Sequence, residues 1–405
     1  MIRRIRTPNA TTQNTLPRLP ESSMKSILTI NPGSTSTKIV LFHGLEPVVS
    51  REVQHPKPEL AGFPDVWSQF ALRLKPILAV LAQAGADRLD AVVGRGGLLA
   101  PLPGGVYRIG ERMLEDLRLQ RFGEHPCNLG APLALEIAKR FGGLALIVDP
   151  VVTDELCPEA RLTGLPNVFR RSTFHALSQR GAAREAARRL GINYENGKFI
   201  VAHLGGGISI GAHCRGRVVD VTNALDGEGP MSPERSGALP LLPLLQLLED
   251  GAMDLPKLRR AILREGGLHA HLETNDFRVI ETMVRQKNAP AVAVVAAFGY
   301  AIAKHVASLL PVLVTLKDHR PLDAIVLTGG LAQSEVLLRD LRNRLAPLGS
   351  IEVVQGLTEA RVMAESALAA LQGKVVLQEY GLPKTIPNHT SSIPTETCSG
   401  NEPLA

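Results

Sequence analysis

Three short turns and a handful of charged side chains are the parts of this sequence that could do chemistry. The first turn lies in ILTINPGSTSTKIVLF, Ile27 to Phe42, where two apolar runs meet at Asn31, Pro32 and Gly33. Four hydroxyl residues, Ser34, Thr35, Ser36 and Thr37, then lead into Lys38. Glycine permits close backbone approach, so such a turn can present N–H groups to an anion, with hydroxyl donors and a lysine charge added. Taken alone, a Ser/Thr-rich turn is also ordinary surface structure, because these residues are common turn formers. The second turn is Gly205-Gly206-Gly207 in VAHLGGGISIG, just after His203, and the third is Thr328-Gly329-Gly330 at the end of LDAIVLTGGL. The chemistry all three share is phosphate binding. Neither common nucleotide signature accounts for them. Thr37 stands where a Walker loop has the glycine before its lysine. Three residues separate Gly207 from Gly211, and the apolar run that follows reads as a strand instead of the helix of a dinucleotide fingerprint.

Arginines and histidines supply the other candidates. Arg95 in GRGGLL ends an apolar run beside small residues that leave it room to reach a ligand; Arg235 in SPERSGALP lies on a polar loop, where a surface role would be the default. A guanidinium fork matches carboxylate and phosphoryl oxygens better than an ammonium does. His175 in STFHALSQR, His125 in EHPCNLGAP and His203 could each be a packed core histidine as readily as a ligand-facing one. Asp149 ends the apolar run GLALIVDPVV, and carboxylates at strand ends of α/β proteins often line sites.

The elements that must position these residues alternate between the two backbone periods. Residues 25–42 read as strand, turn, strand, and VWSQFALRLKPILAVLAQAG has helical spacing. LDAVVGRGGLL reads as a buried strand, APLALEIAKRF as an amphipathic helix and GLALIVDPVV as a strand. The second half repeats the order: SQRGAAREAARRLG is a helix closed by Gly191, KFIVAHLGGGISIGAHCRGRVVDVT is strand, turn and strands, helices fill 240–310, and LDAIVLTGGL is a strand followed by a helix near Ser334. Matching hairpins and matching strand-Gly-Gly elements predict a duplicated α/β domain. The expected organisation is an unstructured extension over 1–23, a first domain over 24–149 with a returning C-terminal helix at 358–380, a second over 150–357 with a helical insertion at 240–310, and an unstructured tail over 382–405.

The totals agree with two lobes around a cleft, since 405 residues exceed one ordinary core. With 45 basic and 39 acidic residues the net charge of +6 is mild, and an aromatic content of 4% is poor material for stacking nucleic acid bases, so no nucleic-acid partner is expected. The apolar stretch APAVAVVAAFGYAIAKHVASLLPVLV carries Lys304 and His305, which predicts a buried helix pair and no membrane partner. The cysteines, Cys127, Cys157, Cys214 and Cys398, show neither a disulfide framework nor metal-site spacing, so a reducing cytoplasm is the expected setting.

Two hairpin turns and one strand-Gly-Gly turn, in two similar halves, resemble the layout of the actin, Hsp70 and sugar-kinase superfamily. INPGSTSTK, VVGRGGLLAPLPGGVY, HPCNLGAPLALEIA, VVTDELCPEARLTGLP, RRSTFHALSQRGAARE, VAHLGGGISIG, DVTNALDGEGPMSPERSGALP and LTGGLAQSE together resemble the acetate, propionate and butyrate kinase family over about residues 25–380. The first turn is more similar to members acting on butyrate than to the NAGSSSLK of acetate kinases. The resemblance implies duplicated actin-like ATPase (ribonuclease H-like) domains with a central cleft, and ATP-dependent phosphorylation of butyrate to butyryl phosphate. Alternatives are another short or branched acid, such as acetate, propionate or isobutyrate, or a non-catalytic ATP-binding relative. It also implies roles. Arg95, His175, Arg235, Asp149 and His125 would be catalytic. Asn31, Ser34, Ser36, Lys38, His203, Gly205, Gly206, Gly207, Thr328, Gly329 and Gly330 would bind ATP. Asn31 and Glu359 would hold Mg²⁺, with Asp149 orienting its waters or an arginine. A homo-oligomer, a dimer or larger, is expected.

Overall fold

The computed structural model describes residues 24–313 and 322–381; the expected extension 1–23 and tail 382–405 lie outside them. The first half opens with β1 (Ser26–Pro32), β2 (Ser36–His43) and β3 (Glu46–Gln54), an antiparallel meander. Its later strands are β4 (Ala91–Arg95), β5 (Val106–Arg108) and β6 (Leu144–Val148), with β4 parallel to both β1 and β6. Ile27, Leu28 and Ile30 on β1 and Ala91, Val92 and Val93 on β4 are fully buried, as the central strands of a sheet covered on both faces require. The edge strand β3 buries no residue and carries Glu46, Arg51 and Glu52, which blunts the edge.

The second half repeats the plan. It comprises β7 (Lys198–Leu204), β8 (Ile208–Cys214), β9 (Arg217–Val221), β10 (Ala324–Thr328) and β11 (Ile351–Val354). Here β7–β8 and β8–β9 are antiparallel, and β10 is parallel to both β7 and β11. The order β3-β2-β1-β4-β6 in one sheet is therefore matched, strand for strand, by β9-β8-β7-β10-β11 in the other. A short β12 (Leu377–Glu379) lies beside β5 and completes the larger sheet.

Two helices tie the halves together. The Ala176–Leu190 helix packs Ala182, Ala183 and Ala186 against Phe199, Val201 and Val326 of the second sheet, while its Leu177 joins the cluster on the first. The Glu359–Leu371 helix returns to the first sheet, burying Val362, Met363, Ala364 and Ala367 against Ile27, Val93 and Val148. Full burial of a side chain such as Val362 or Met363 contributes about 1.5–3 kcal/mol. Thr358 caps this helix by accepting from Arg361 N. Glu359 thus occupies the first turn, where the positive end of the helix favours a carboxylate.

The apolar stretch forms the helices Ala289–Ser308 and Leu310–Leu313. By length and composition Ala289–Leu313 could cross a membrane, yet Ala291, Val295, Phe298, Ile302 and Val306 are buried in the core of the second half. Cys127 is a buried free thiol and Cys214 a half-buried one.

Candidate active site

Asn31 on β1, Arg95 at the end of β4, Ser178 on the Ala176–Leu190 helix and Glu359 meet at one point. Asn31 Nδ2 donates to Glu359 Oε2 at 2.7 Å, Arg95 Nη1 donates to the same oxygen, and Ser178 Oγ donates to Oε1 at 3.4 Å. Sheet register places Asn31 beside Lys38, on the face of β1 that the Glu359 helix covers. The Arg95 and Glu359 side chains are 25% and 26% exposed, so solvent screens their pairing and an incoming anion can compete for the guanidinium.

The second sheet contributes the histidines. His175, just before the Ala176–Leu190 helix, stacks on His203 of β7 with ring centroids 4.0 Å apart and planes 15° from parallel. Burial, then the charges of His203, Arg95 and Arg235, hold His175 well below its ordinary range. Burial also pushes His203 down to about 4, with Glu359 opposing and Arg95 assisting. Both rings are therefore neutral at pH 7. His203 Nδ1 is buried without a hydrogen-bond partner among the described residues.

Arg235 reaches the same place from the opposite loop. Ser232 Oγ donates to Gly206 O at 2.7 Å and accepts from Arg235 N at 3.1 Å, fastening this loop to the glycine turn. Arg235 Nη1 donates to Ala224 O at 2.8 Å. Gly207 is required for the approach: a Cβ there would lie 2.2 Å from Arg235 Nη1 and 3.4 Å from His175 Cε1. Arg95 and Arg235, 140 positions apart in sequence, thus both act through their charge on the same imidazole, that of His175.

The first turn is held from behind. Arg73, fully buried on the Phe70–Gln83 helix, donates through Nη1 to Gly33 O at 3.0 Å, Ser36 O at 3.1 Å and Thr37 Oγ1 at 3.2 Å. Ser34 is exposed at the tip. Ser36 Oγ donates to Glu52 Oε1 at 2.9 Å, and Lys38 Nζ lies 3.8 Å from Glu52 Oε2. His125 caps the Pro126–Leu129 turn by accepting from Cys127 N, and partial burial with the charges of Arg95 and Arg73 keeps its pKa low.

Two predicted site residues are committed elsewhere. Asp149 is 1% exposed, pairs with Arg180 at 3.0 Å and Arg184 at 3.3 Å, and accepts from Gly105 N. Both arginines lie on the helix joining the halves. The Thr328 hydroxyl donates to Val354 O at 2.9 Å within the sheet, which leaves the backbone of Gly329 and Gly330 as what that turn can offer a ligand. Sequence reading missed Arg73, Ser178, Ser209 and Gln179. Only Arg73 left a signal: in FALRLKPILAVL it falls on the apolar stripe of Phe70, Leu74 and Ile77, where a charge must have a reason.

Among the described residues no cluster of three or more His, Cys, Asp or Glu could cage a metal. The Asn31 amide and Glu359 carboxylate suit a different mode, in which a hard divalent cation keeps several waters and takes few protein oxygens.

A model described as the Acetokinase family matches residues 159–375. A probable butyrate kinase of Oleidesulfovibrio alaskensis is 49% identical over 368 residues, covering 88% of this chain and 99% of that protein. One from Maridesulfovibrio salexigens is 46% identical over 358 residues, covering 87% and 98%. Among solved structures, an acetate kinase of Porphyromonas gingivalis has a TM-score of 0.68 at 20% identity, over 86% of this chain and 100% of that one. A propionate kinase of Francisella tularensis has a TM-score of 0.62 at 18% identity, over 85% and 99%. At those identities the structures speak for the fold, duplicated actin-like α/β halves with a central cleft. The relatives speak for more, and by their similarity the chain belongs to the acetokinase family.

Proposed function

We propose that the protein transfers the γ-phosphoryl group of ATP to butyrate, giving butyryl phosphate and ADP in a reversible reaction. The observation that carries this reading is a neutral His175 that, with Arg235, adjoins Gly207 of the glycine turn and feels the charges of both Arg95 and Arg235. The names of the similar proteins supply the acid. A carboxylate is already deprotonated at pH 7, so no general base is needed. Its oxygen attacks the γ-phosphorus, the bond to the β,γ-bridging oxygen breaks, and ADP leaves with the electron pair.

What the reaction needs is positioning and charge neutralisation along an in-line path. Arg95 and Arg235 would hold the carboxylate and the moving phosphoryl group. Arg95 would exchange Glu359 for substrate as it does so. His175 would donate to an equatorial phosphoryl oxygen. The first two turns would grip the phosphates, and the Gly329-Gly330 backbone would lie by the nucleoside. Asn31 and Glu359 would hold Mg²⁺, which when bound neutralises charge on the phosphates. Asp149 would act at a distance, by holding Arg180 and Arg184 and with them the helix that carries Ser178.

A cytoplasmic location, where ATP is supplied, and assembly of two or more copies belong to the same reading. Purified protein incubated with ATP and butyrate is expected to release ADP and form an acyl phosphate trapped by hydroxylamine. Folded protein that forms no ADP with any two- to six-carbon carboxylate overturns the reading. Preference among acids is read from kcat/KM side by side, since one methylene is worth only about 1–3 kcal/mol.

A further inference from the structure

Behind His175 runs a line of buried polar groups that the phosphoryl-transfer reading leaves unused. Tyr194 Oη lies 2.9 Å from His213 Nδ1, His213 Nε2 lies 3.0 Å from Gln179 Oε1, Gln179 Nε2 lies 2.8 Å from Ser209 Oγ, and Ser209 Oγ lies 2.9 Å from His175 Nδ1. Gln179 and Ser209 are 0% exposed, His213 1% and Tyr194 4%. No water chain is needed to connect them. Gly211 makes room for the line: a Cβ there would lie 2.5 Å from Gln179 Oε1.

The proton positions follow from donor and acceptor inventory. Gln179 Nε2 also lies 3.0 Å from Ser209 O, a carbonyl that can only accept, so the amide nitrogen must face Ser209 and Oε1 must face His213. His213 Nε2 then carries a proton. Burial, with Arg180 and Arg184 nearby, keeps His213 neutral, so its Nδ1 is an acceptor. Tyr194, whose pKa burial raises to about 12, is the donor to it. At the other end, Ser209 Oγ accepts from Gln179 Nε2 and, at 3.4 Å, from His175 N. Its lone pairs are used, and its own hydrogen is left for His175 Nδ1.

We propose that Tyr194, His213, Gln179 and Ser209 form a hydrogen-bond relay that locks His175 as the tautomer protonated on Nε2. The ring then meets its ligand as a neutral donor, and which nitrogen carries the proton is decided by what the other one accepts. Ser209 and Gln179 are positioning residues, since they act through His175. The use of that donor on a phosphoryl oxygen rests on the function proposed above; the tautomer itself does not.

The test is a long-range ¹H–¹⁵N correlation spectrum of the full chain labelled at histidine, without substrates, with His175→Gln identifying the His175 signals. The expected result is a neutral ring protonated on Nε2. Ser209→Ala, and Gln179→Met as a second variant, are expected to give a mixture of tautomers. Either should lower kcat with ATP and butyrate on the order of 10–100-fold, with KM nearly unchanged. An imidazolium or an Nδ1-protonated ring in the unsubstituted protein overturns the proposal, and so does an unaltered tautomer in both variants. Because the tautomer is read without turnover, an absence of kinase activity would count against the proposed function and leave this result standing.

Discussion

Glu359 holds Asn31 and Arg95 at once, so the residue proposed to hold a metal also restrains the arginine proposed to hold substrate. Among the described residues Arg235 has no carboxylate partner of this kind; its Nη1 contact is the Ala224 carbonyl. Arg235→Ala should therefore lower kcat by about 10²–10³-fold while urea unfolding changes little, because what is lost is charge stabilisation in the transition state. The histidines give a pH prediction. His203 has a folded pKa of about 4 against 6.5 for the free side chain, so between these values the unfolded chain binds more protons. Stability is then complete above about pH 6.5 and falls as the pH drops toward 4, with His175 and His213 acting in the same direction. Urea midpoints at neutral and mildly acid pH should show this decline, and His203→Gln should flatten it. An acid slope untouched by that substitution would show that the burial of His203 is not the cause.

At the scale of elements, the first hairpin, proposed as a phosphate turn, has a buried cation built into its back. Arg73 satisfies two turn carbonyls and a threonine hydroxyl that face away from water. Arg73→Met should cost about 2–4 kcal/mol in urea unfolding, since charged hydrogen bonds are lost and buried acceptors are left unpaired. It should also lower kcat/KM for ATP on the order of tenfold as the turn loses its set. Normal ATP kinetics in a destabilised variant would make Arg73 a packing residue only. The hairpins were readable beforehand because apolar runs flank Gly33 and Gly206 at strand spacing, and the duplicated strand order followed from them. The relay behind His175 was not readable, because Gln179 and Ser209 sit in different elements and neither residue type stands out there.

For the whole molecule, the Leu241–Glu249 helix buries none of its residues, and Leu241, Leu242 and Leu245 are 74%, 78% and 50% exposed. An apolar patch of this kind on a protein surface marks an interaction site, and the proposed partner is a second copy. Leu241→Lys combined with Leu242→Lys should shift the sedimentation coefficient to that of a single chain. An unchanged coefficient would place the interface elsewhere.

The sequence by itself determined the turns, the alternation of strands and helices, and the types of side chain available, because backbone period and glycine placement are local properties. It could not determine which side chains meet. Asn31 and Glu359 are joined across 328 positions only because the last long helix returns to the first sheet. Asp149 is turned to buried arginines by the helix that joins the halves. The choice of tautomer at His175 depends on hydrogen bonds from β8 and that same helix. Distance in space, burial and the direction of a hydrogen bond exist only once the two halves have packed, and these are what give a candidate residue its chemistry.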